Sequence, residues 1–253
     1  MKALAAAVRS AVFYVWMGVT VVPWALALML VSLFAPRTTV WWCAVSWFRV
    51  VLFGCRWILG IRVRVQGLEN LPCNGGAVLL SKHQSTLETL LLPTLVAHPL
   101  AFVFKRELLR IPFFGWSMAR LQMIHIDRES RAASMKSIIS QGSALLAQGT
   151  WVIMFPEGTR VAPGQRGTYQ TAGTRLAVEA GVPVVPIAVT AGKCWPRPVL
   201  EKCSGVVDVS FGPPMASTDA DPRALMRDVE AWIETEMQRL EPEAYASHQD
   251  RAE

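Results

Sequence analysis

Two long apolar stretches open the chain. Residues 11–35 read AVFYVWMGVTVVPWALALMLVSLFA and carry no charged side chain, and a helix of that length can cross the hydrocarbon core of a bilayer. The second stretch, residues 40–60, is apolar except for Arg49 and Arg56. These arginines stand two helical turns apart on one face, which predicts a helix whose guanidinium groups lie among the lipid headgroups.

The pattern is compatible with more than one placement of these helices. Because basic residues flank both stretches, the chain either crosses the membrane twice or dips into it twice, with a kink at Pro23. Packing as core helices of a soluble protein is disfavoured by their nearly all-round apolar character. A cleaved signal peptide is disfavoured because the apolar run is too long and SLFAPR is a poor cleavage sequence.

After Gly60 the pattern changes to short β-branched runs that alternate with helical segments. Strands are predicted at residues 61–65, 76–81, 100–104, 123–126, 151–155, 182–189 and 205–211. Helices are predicted at residues 86–96, 113–121, 130–148, 171–180 and 222–240, and the polar tail, residues 241–253, is expected to be frayed. This alternation predicts an α/β fold with a largely parallel mixed sheet covered by helices.

These patterns divide the chain into two segments. Residues 1–60 are predicted to be membrane-embedded or interfacial helices, and residues 61–253 to be an α/β domain. The uneven distribution of charge supports the division, because the chain has a net charge of +6 and yet no acidic residue precedes Glu69. Arginine and tryptophan on an apolar background are typical of a bilayer interface. A nucleic-acid-binding arm would be polar, so membrane lipids rather than nucleic acid are the predicted partner.

The cysteines and most histidines add little chemistry. The five cysteines are odd in number and contain no C-x-x-C pair, so neither a disulfide framework nor a zinc site is indicated. A body that faces a reducing compartment is the simplest interpretation. Of the four histidines, only His83 lies near other candidate chemistry.

The stretch SKHQSTLETLLL, residues 81–92, joins a predicted strand to a predicted helix. His83 and Glu88 would point in different directions on one α-helix, so they can meet only if His83 lies in the loop before it. Ser85 and Glu88 have the spacing of a capping box. Alternatively, Glu88 holds one ring nitrogen of His83 and leaves the other free as a general base. The two interpretations are compatible, and the sequence leaves both open.

Basic residues follow several of the strand-like runs. FPEGTR, residues 155–160, ends one such run, and open α/β sheets bind ligands at the carboxyl ends of their strands. Its turn offers backbone N–H groups and the guanidinium of Arg160, which suit a phosphate. In a parallel sheet, Lys105 and Arg128 would face the same rim. The alternatives are a solvated basic turn at Lys105 and a local pair between Asp127 and Arg128.

Taken in order, these motifs resemble those of the glycerolipid acyltransferases, specifically the bacterial 1-acylglycerol-3-phosphate acyltransferases. The resemblance covers residues 78–186 and rests on four blocks: His83 with Glu88, KRELLRIPFFG with IDR, FPEGTR, and VPVVPI. The chain departs from the family pattern at two positions. Glu88 stands where the family usually has aspartate, and Gln170 stands where a basic residue is common.

The resemblance implies transfer of an acyl chain from an acyl thioester to the sn-2 hydroxyl of 1-acyl-glycerol 3-phosphate (lysophosphatidic acid), which gives phosphatidic acid. His83 and Glu88 would be the catalytic pair. The substrate phosphate would be bound by Arg160, Lys105 and Arg128, and the oxyanion motif would be Glu157, Gly158 and Thr159. No covalent acyl-enzyme, cofactor or metal is implied, and the acyl donor is either acyl-CoA or acyl carrier protein.

Three alternatives remain at this point. The first is an enzyme whose acceptor is glycerol 3-phosphate or a different lyso-lipid, and the second is a non-catalytic lipid-binding membrane protein on the same fold. An α/β hydrolase is disfavoured because no G-x-S-x-G motif is present. Since acyl donors are made in the cytosol, the α/β domain is expected to face the cytoplasm at the inner membrane.

Overall fold

A computed structural model describes residues 2–110, 114–126 and 131–249 of the chain. The N-terminal part forms a hairpin of two helices, α1 (Lys2–Val31) and α2 (Arg37–Gly54), and α2 continues into a π-helical turn, Cys55–Leu59. By length and composition, residues 3–31 and 37–59 are the two helices in the described part of the chain that are able to cross a membrane. The prediction of two apolar N-terminal helices is confirmed, and Pro23 lies inside the continuous helix α1.

Within the described ranges, seven strands form one sheet in the order β1-β7-β6-β2-β5-β3-β4. The strands are β1 (Ile61–Gln66), β2 (Val78–Ser81), β3 (Leu100–Lys105), β4 (Ile124–Ile126), β5 (Trp151–Met154), β6 (Val184–Val189) and β7 (Gly205–Phe211). Only β6 and β7 pair antiparallel among these strands, so the predicted largely parallel mixed sheet is confirmed.

Six further α-helices are present in the described residues. They are α3 (Leu87–Leu95), α4 (Phe114–Arg120), α5 (Arg131–Ala147), α6 (Ala172–Ala180), α7 (Pro222–Leu240) and α8 (Pro242–Gln249), and short 3₁₀ turns span Leu68–Asn70 and Arg106–Arg110. The expectation of a frayed tail is wrong for α8. The hydroxyl of Tyr245 donates a hydrogen bond to Glu234 at 3.1 Å, and this contact holds the last helix against α7.

Helices cover both faces of the sheet, and alternate residues of each central strand enter opposite cores. Leu79 belongs to the core that includes α2 and α3, whereas Leu80 belongs to the core that includes α5, α6 and α7. Phe13 and Leu28 of α1 are buried in the same core as Leu79. The N-terminal hairpin therefore shares a hydrophobic core with the sheet.

The strand order places several loops at one edge. Strands β2, β5, β3 and β4 are consecutive neighbours and mutually parallel, so their carboxyl ends lie side by side. His83 follows β2, residues 155–160 follow β5, and Lys105 is the last residue of β3. The motifs that the sequence analysis singled out thus converge on the carboxyl edge, where ligands bind in such sheets.

Candidate active site

The carboxylate of Glu88 contacts both the histidine and the start of α3. Its Oε2 lies 3.3 Å from Nδ1 of His83, and its Oε1 accepts the backbone N–H groups of Gln84 at 3.0 Å and Ser85 at 2.8 Å. The Glu88 side chain is completely buried. The carboxylate therefore caps the helix and contacts the imidazole at the same time, so the geometry is compatible with both interpretations of the motif.

The cap differs in detail from a standard capping box. Helix α3 begins at Leu87, with Thr86 in the N-cap position. The hydroxyl of Ser85 accepts from the N–H of Leu87 at 2.9 Å rather than from the N–H of Glu88. The carboxylate half of the predicted box is present, and the hydroxyl half is shifted by one residue.

The imidazole of His83 is packed on one face. Its ring lies 4.0 Å from the ring of Phe155 at an interplanar angle of 18°, and the side chain is 14% exposed. Nδ1 faces Glu88, whereas Nε2 has no hydrogen-bond partner among the described residues. The Nε2 atom is therefore the nitrogen that can serve a bound substrate.

A buried ion network lies behind the histidine. The ammonium of Lys82 is 2.8 Å from Oε1 of Glu157 and 2.7 Å from Oε1 of Glu234, and all three side chains are buried. The second oxygen of Glu157 accepts the backbone N–H of His83 at 2.9 Å. Burial raises the pKa of Glu157, and the adjacent Lys82 ammonium opposes that shift. The network fixes the backbone of the loop that carries His83.

Sequence reasoning did not identify Lys82. Its partners Glu157 and Glu234 lie 75 and 152 positions away, so no local pattern connects them. The one signal available was a lysine directly after the apolar run of β2, at a strand end that was already a candidate site.

The geometry of the turn after β5 differs in part from the predicted oxyanion motif. The carboxylate of Glu157 points into the interior, because Lys82 and the His83 N–H bind it there. Gly158 adopts a left-handed φ of 66°, and its N–H donates to the carbonyl of Phe155 at 3.0 Å, so that N–H is already engaged. The N–H groups of Thr159 and Arg160 have no acceptor in the part of the chain that the structure describes. They are the donors that this turn leaves open.

Arg160 lies in a positively charged neighbourhood. Its side chain is partly buried, and its carbonyl accepts a hydrogen bond from Nη2 of Arg197. Lys202 is buried nearby, with its ammonium bonded to the carbonyls of Pro196 and Pro198 at 2.7 Å each. Burial lowers the pKa of Lys202, and the charge of Arg160 lowers it further. Arg197 and Lys202 follow β6 and were not predicted from the sequence, since no motif marks them.

Two predicted phosphate contacts cannot be placed. Lys105 ends β3, beside β5, but its side chain lies outside the described residues. Arg128 lies outside the described residues altogether. Within residues 2–110, 114–126 and 131–249, no group of three or more His, Cys, Asp or Glu side chains has the arrangement of a metal site.

Comparison with known proteins agrees with this geometry. The family described as Acyltransferase matches residues 62–190, a range that contains the histidine loop and the FPEGTR turn. The 1-acyl-sn-glycerol-3-phosphate acyltransferase of Pseudomonas aeruginosa is 40% identical over 240 residues, which cover 93% of this chain and 93% of that protein. The human 1-acyl-sn-glycerol-3-phosphate acyltransferase alpha is 32% identical over 56% of this chain, and the match spans 50% of that protein.

A solved structure shares the fold. The crystal structure of the 1-acyl-sn-glycerophosphate (LPA) acyltransferase PlsC from Thermotoga maritima superposes with a TM-score of 0.81 at 23% identity, and the match covers 95% of this chain and 98% of that one. The extent of the sequence matches, together with a histidine and a carboxylate in contact at the carboxyl edge of the sheet, shows that the chain belongs to the acyltransferase family.

Proposed function

We propose that the chain transfers an acyl group from an acyl thioester to the sn-2 hydroxyl of 1-acyl-glycerol 3-phosphate, giving phosphatidic acid. The observation that carries the proposal is the contact of 3.3 Å between His83 and Glu88, beside the turn that bears Arg160. The similarity to the Pseudomonas aeruginosa 1-acyl-sn-glycerol-3-phosphate acyltransferase supports the same acceptor.

The reaction uses His83 as a general base. The Nε2 atom accepts the proton of the acceptor hydroxyl as the oxygen attacks the thioester carbonyl, and Glu88 stabilises the imidazolium that forms. The tetrahedral oxyanion is stabilised by the open N–H groups of Thr159 and Arg160. When the intermediate collapses, the C–S bond breaks and the thiolate takes the proton from His83. No covalent acyl-enzyme forms in this scheme.

The phosphate of the acceptor is bound by Arg160. A guanidinium forms strong, paired hydrogen bonds with phosphate oxygens, and the nearby Arg197 and Lys202 add positive charge. Lys105 and Arg128 extend this cation set in the proposal, because β3 and β4 end at the same edge of the sheet as β5.

Membrane association follows from the surface of α1. Its exposed large apolar residues recur every three or four positions along the whole helix, and they are Leu4, Val8, Val12, Val15, Val19, Val22, Leu26 and Leu30. The opposite side of α1 packs on the protein through Phe13 and Leu28. We infer that this stripe rests in the lipid, with the helix either crossing the bilayer or dipping into it. Because acyl-CoA and acyl carrier protein are cytosolic, we place the α/β domain on the cytoplasmic side of the inner membrane.

A two-substrate assay tests the function. Purified full-length chain in vesicles is given radiolabelled lysophosphatidic acid with acyl-CoA or, separately, with acyl carrier protein that carries an acyl group. Labelled phosphatidic acid is expected with at least one donor, and His83→Ala is the negative control. If the chain acylates another lyso-lipid and not lysophosphatidic acid, the proposed acceptor is wrong. If the chain binds lipid without any turnover, it is a lipid-binding protein rather than an enzyme.

A further inference from the structure

A cavity lies at the opposite edge of the sheet from His83. It has a volume of about 140 Å³ and is enclosed by the start of α2, the end of α4 and the residues that precede β3 and β5. Its lining includes Arg37, Trp41 and Arg120, and no acidic residue is among the described residues that line it. A phosphate group fits within this volume.

The walls of this cavity carry positive charge that no carboxylate among the described lining residues neutralises. Neither Arg37 nor Arg120 has a carboxylate within ion-pair distance in the described part of the chain. The N-cap of α2 is Pro36, and no side chain caps the first N–H groups of this helix. The positive end of the helix dipole therefore adds to the two guanidinium groups.

The buried indole of Trp41 is an independent observation. This side chain lines the cavity and is only 3% exposed, yet its Nε1–H has no hydrogen-bond partner among the residues that the structure describes. Buried donors are nearly always paired in folded proteins, so an unpaired one indicates a missing acceptor. An indole N–H can only donate, so an oxygen acceptor in the cavity, such as one of a bound anion, would satisfy it.

The surroundings of the cavity connect it with the lipid surface. The turn between α1 and α2 exposes Leu33 and Phe34, which continue the apolar stripe of α1 to this end of the molecule. A group bound beside that turn would lie at headgroup depth if the stripe rests in the lipid. We propose that the cavity is an anion site that binds the phosphate group of a membrane phospholipid and is separate from the acceptor site at Arg160.

The test observes Trp41 directly in the full-length chain. Indole nitrogens are labelled with ¹⁵N, the Trp41 resonance is assigned by its loss in Trp41→Phe, and inorganic phosphate is titrated. The Trp41 N–H signal is expected to move downfield and to saturate. Arg37→Gln and Arg120→Gln should each raise the apparent Kd about tenfold, the scale of one charge-assisted hydrogen bond. Arg62→Gln is the matched control, because Arg62 is an exposed arginine on β1 outside the cavity.

A second arm separates a lipid from free phosphate. Vesicles of phosphatidylcholine, with and without phosphatidylglycerol, replace inorganic phosphate, and the same Trp41 signal is followed. A shift of the Trp41 signal that grows with the phosphatidylglycerol content, and that is lost in the double variant Arg37→Gln with Arg120→Gln, supports a lipid site. A shift with inorganic phosphate alone supports the anion site and assigns it to a soluble phosphate. A Trp41 signal that neither probe moves, or that moves equally in the arginine variants, overturns the proposal.

Discussion

His83 is fixed at three points: its Nδ1 faces Glu88, its ring stacks on Phe155, and its backbone N–H binds Glu157. His83→Ala removes the proposed base and leaves the backbone contact in place. We expect the turnover rate to fall about 10²- to 10⁴-fold, while the melting temperature and vesicle binding stay close to those of the unaltered chain. Steady-state assays with thermal melts check this, and activity within a few-fold of the unaltered chain would rule out His83 as the base.

Glu88→Gln separates the charge of this residue from its capping role. The amide oxygen can still accept the N–H groups of Gln84 and Ser85, so the free energy of unfolding should change by at most about 1 kcal/mol. The amide NH₂ would then donate to Nδ1 of His83, which favours the tautomer with a protonated Nε2 and removes the base. We expect a large fall in kcat at nearly unchanged stability.

Ser85→Ala is the control for that experiment. It deletes the hydroxyl that accepts from Leu87 and leaves the carboxylate of Glu88 intact. Its effect should appear in stability rather than in kcat. If Glu88→Gln behaves like Ser85→Ala, then Glu88 only caps the helix.

Arg160→Ala tests recognition of the acceptor phosphate. Loss of a charge-assisted hydrogen bond costs about 1.5–3 kcal/mol, which corresponds to a rise of about 10- to 150-fold in KM for lysophosphatidic acid. The KM for the acyl donor should change far less. Arg166→Ala is the control, because that arginine is exposed and pairs with Glu230 at 2.8 Å. Equal losses for both substrates would argue against a phosphate contact.

At the scale of elements, α7 is connected through Lys82 to the loop that carries His83. Lys82→Met leaves Glu157 and Glu234 buried without their cation, a change that typically costs about 3–5 kcal/mol. Denaturant melts should show that loss. Adding Glu157→Gln and Glu234→Gln should restore part of the stability, because it removes the unpaired charges. If Lys82→Met alone is as stable as the unaltered chain, the ion network contributes little to the free energy of unfolding.

The sequence predicted those parts of the elements and the site that depend on short-range patterns. The strands and helices of the body follow apolar periodicity, and His83 and Glu88 are close enough in the chain for their contact to be foreseen. Lys82 was missed because its partners are remote in the chain. Helix α8 was missed because its sequence is polar, and its position depends on the bond from Tyr245 to Glu234.

At the scale of the whole molecule, the proposed membrane binding depends on the exposed apolar stripe on α1. Val15 and Val19 are 66% and 67% exposed, so charged side chains there should not disturb the core. The double variant Val15→Glu with Val19→Glu should reduce vesicle binding by at least about tenfold, since each buried apolar side chain contributes on the order of 1.5 kcal/mol. Flotation assays measure this. The double change to leucine is the control and should bind as well as the unaltered chain.

The shared core has a consequence for how the chain is made. Strand β1 pairs with β7, and Arg64 bonds to Asp208 144 positions later, so the sheet cannot close until nearly all of the chain has been synthesised. Until then the core-facing side of α1, with Phe13 and Leu28, lacks its partners among the sheet residues. Nascent helices with exposed apolar surface are prone to aggregate. Insertion into a bilayer beside the ribosome would bury that surface in lipid and prevent the aggregation. We therefore expect delivery to the membrane to precede closure of the sheet, so that a nascent chain kept from the membrane would be lost to aggregation and proteolysis.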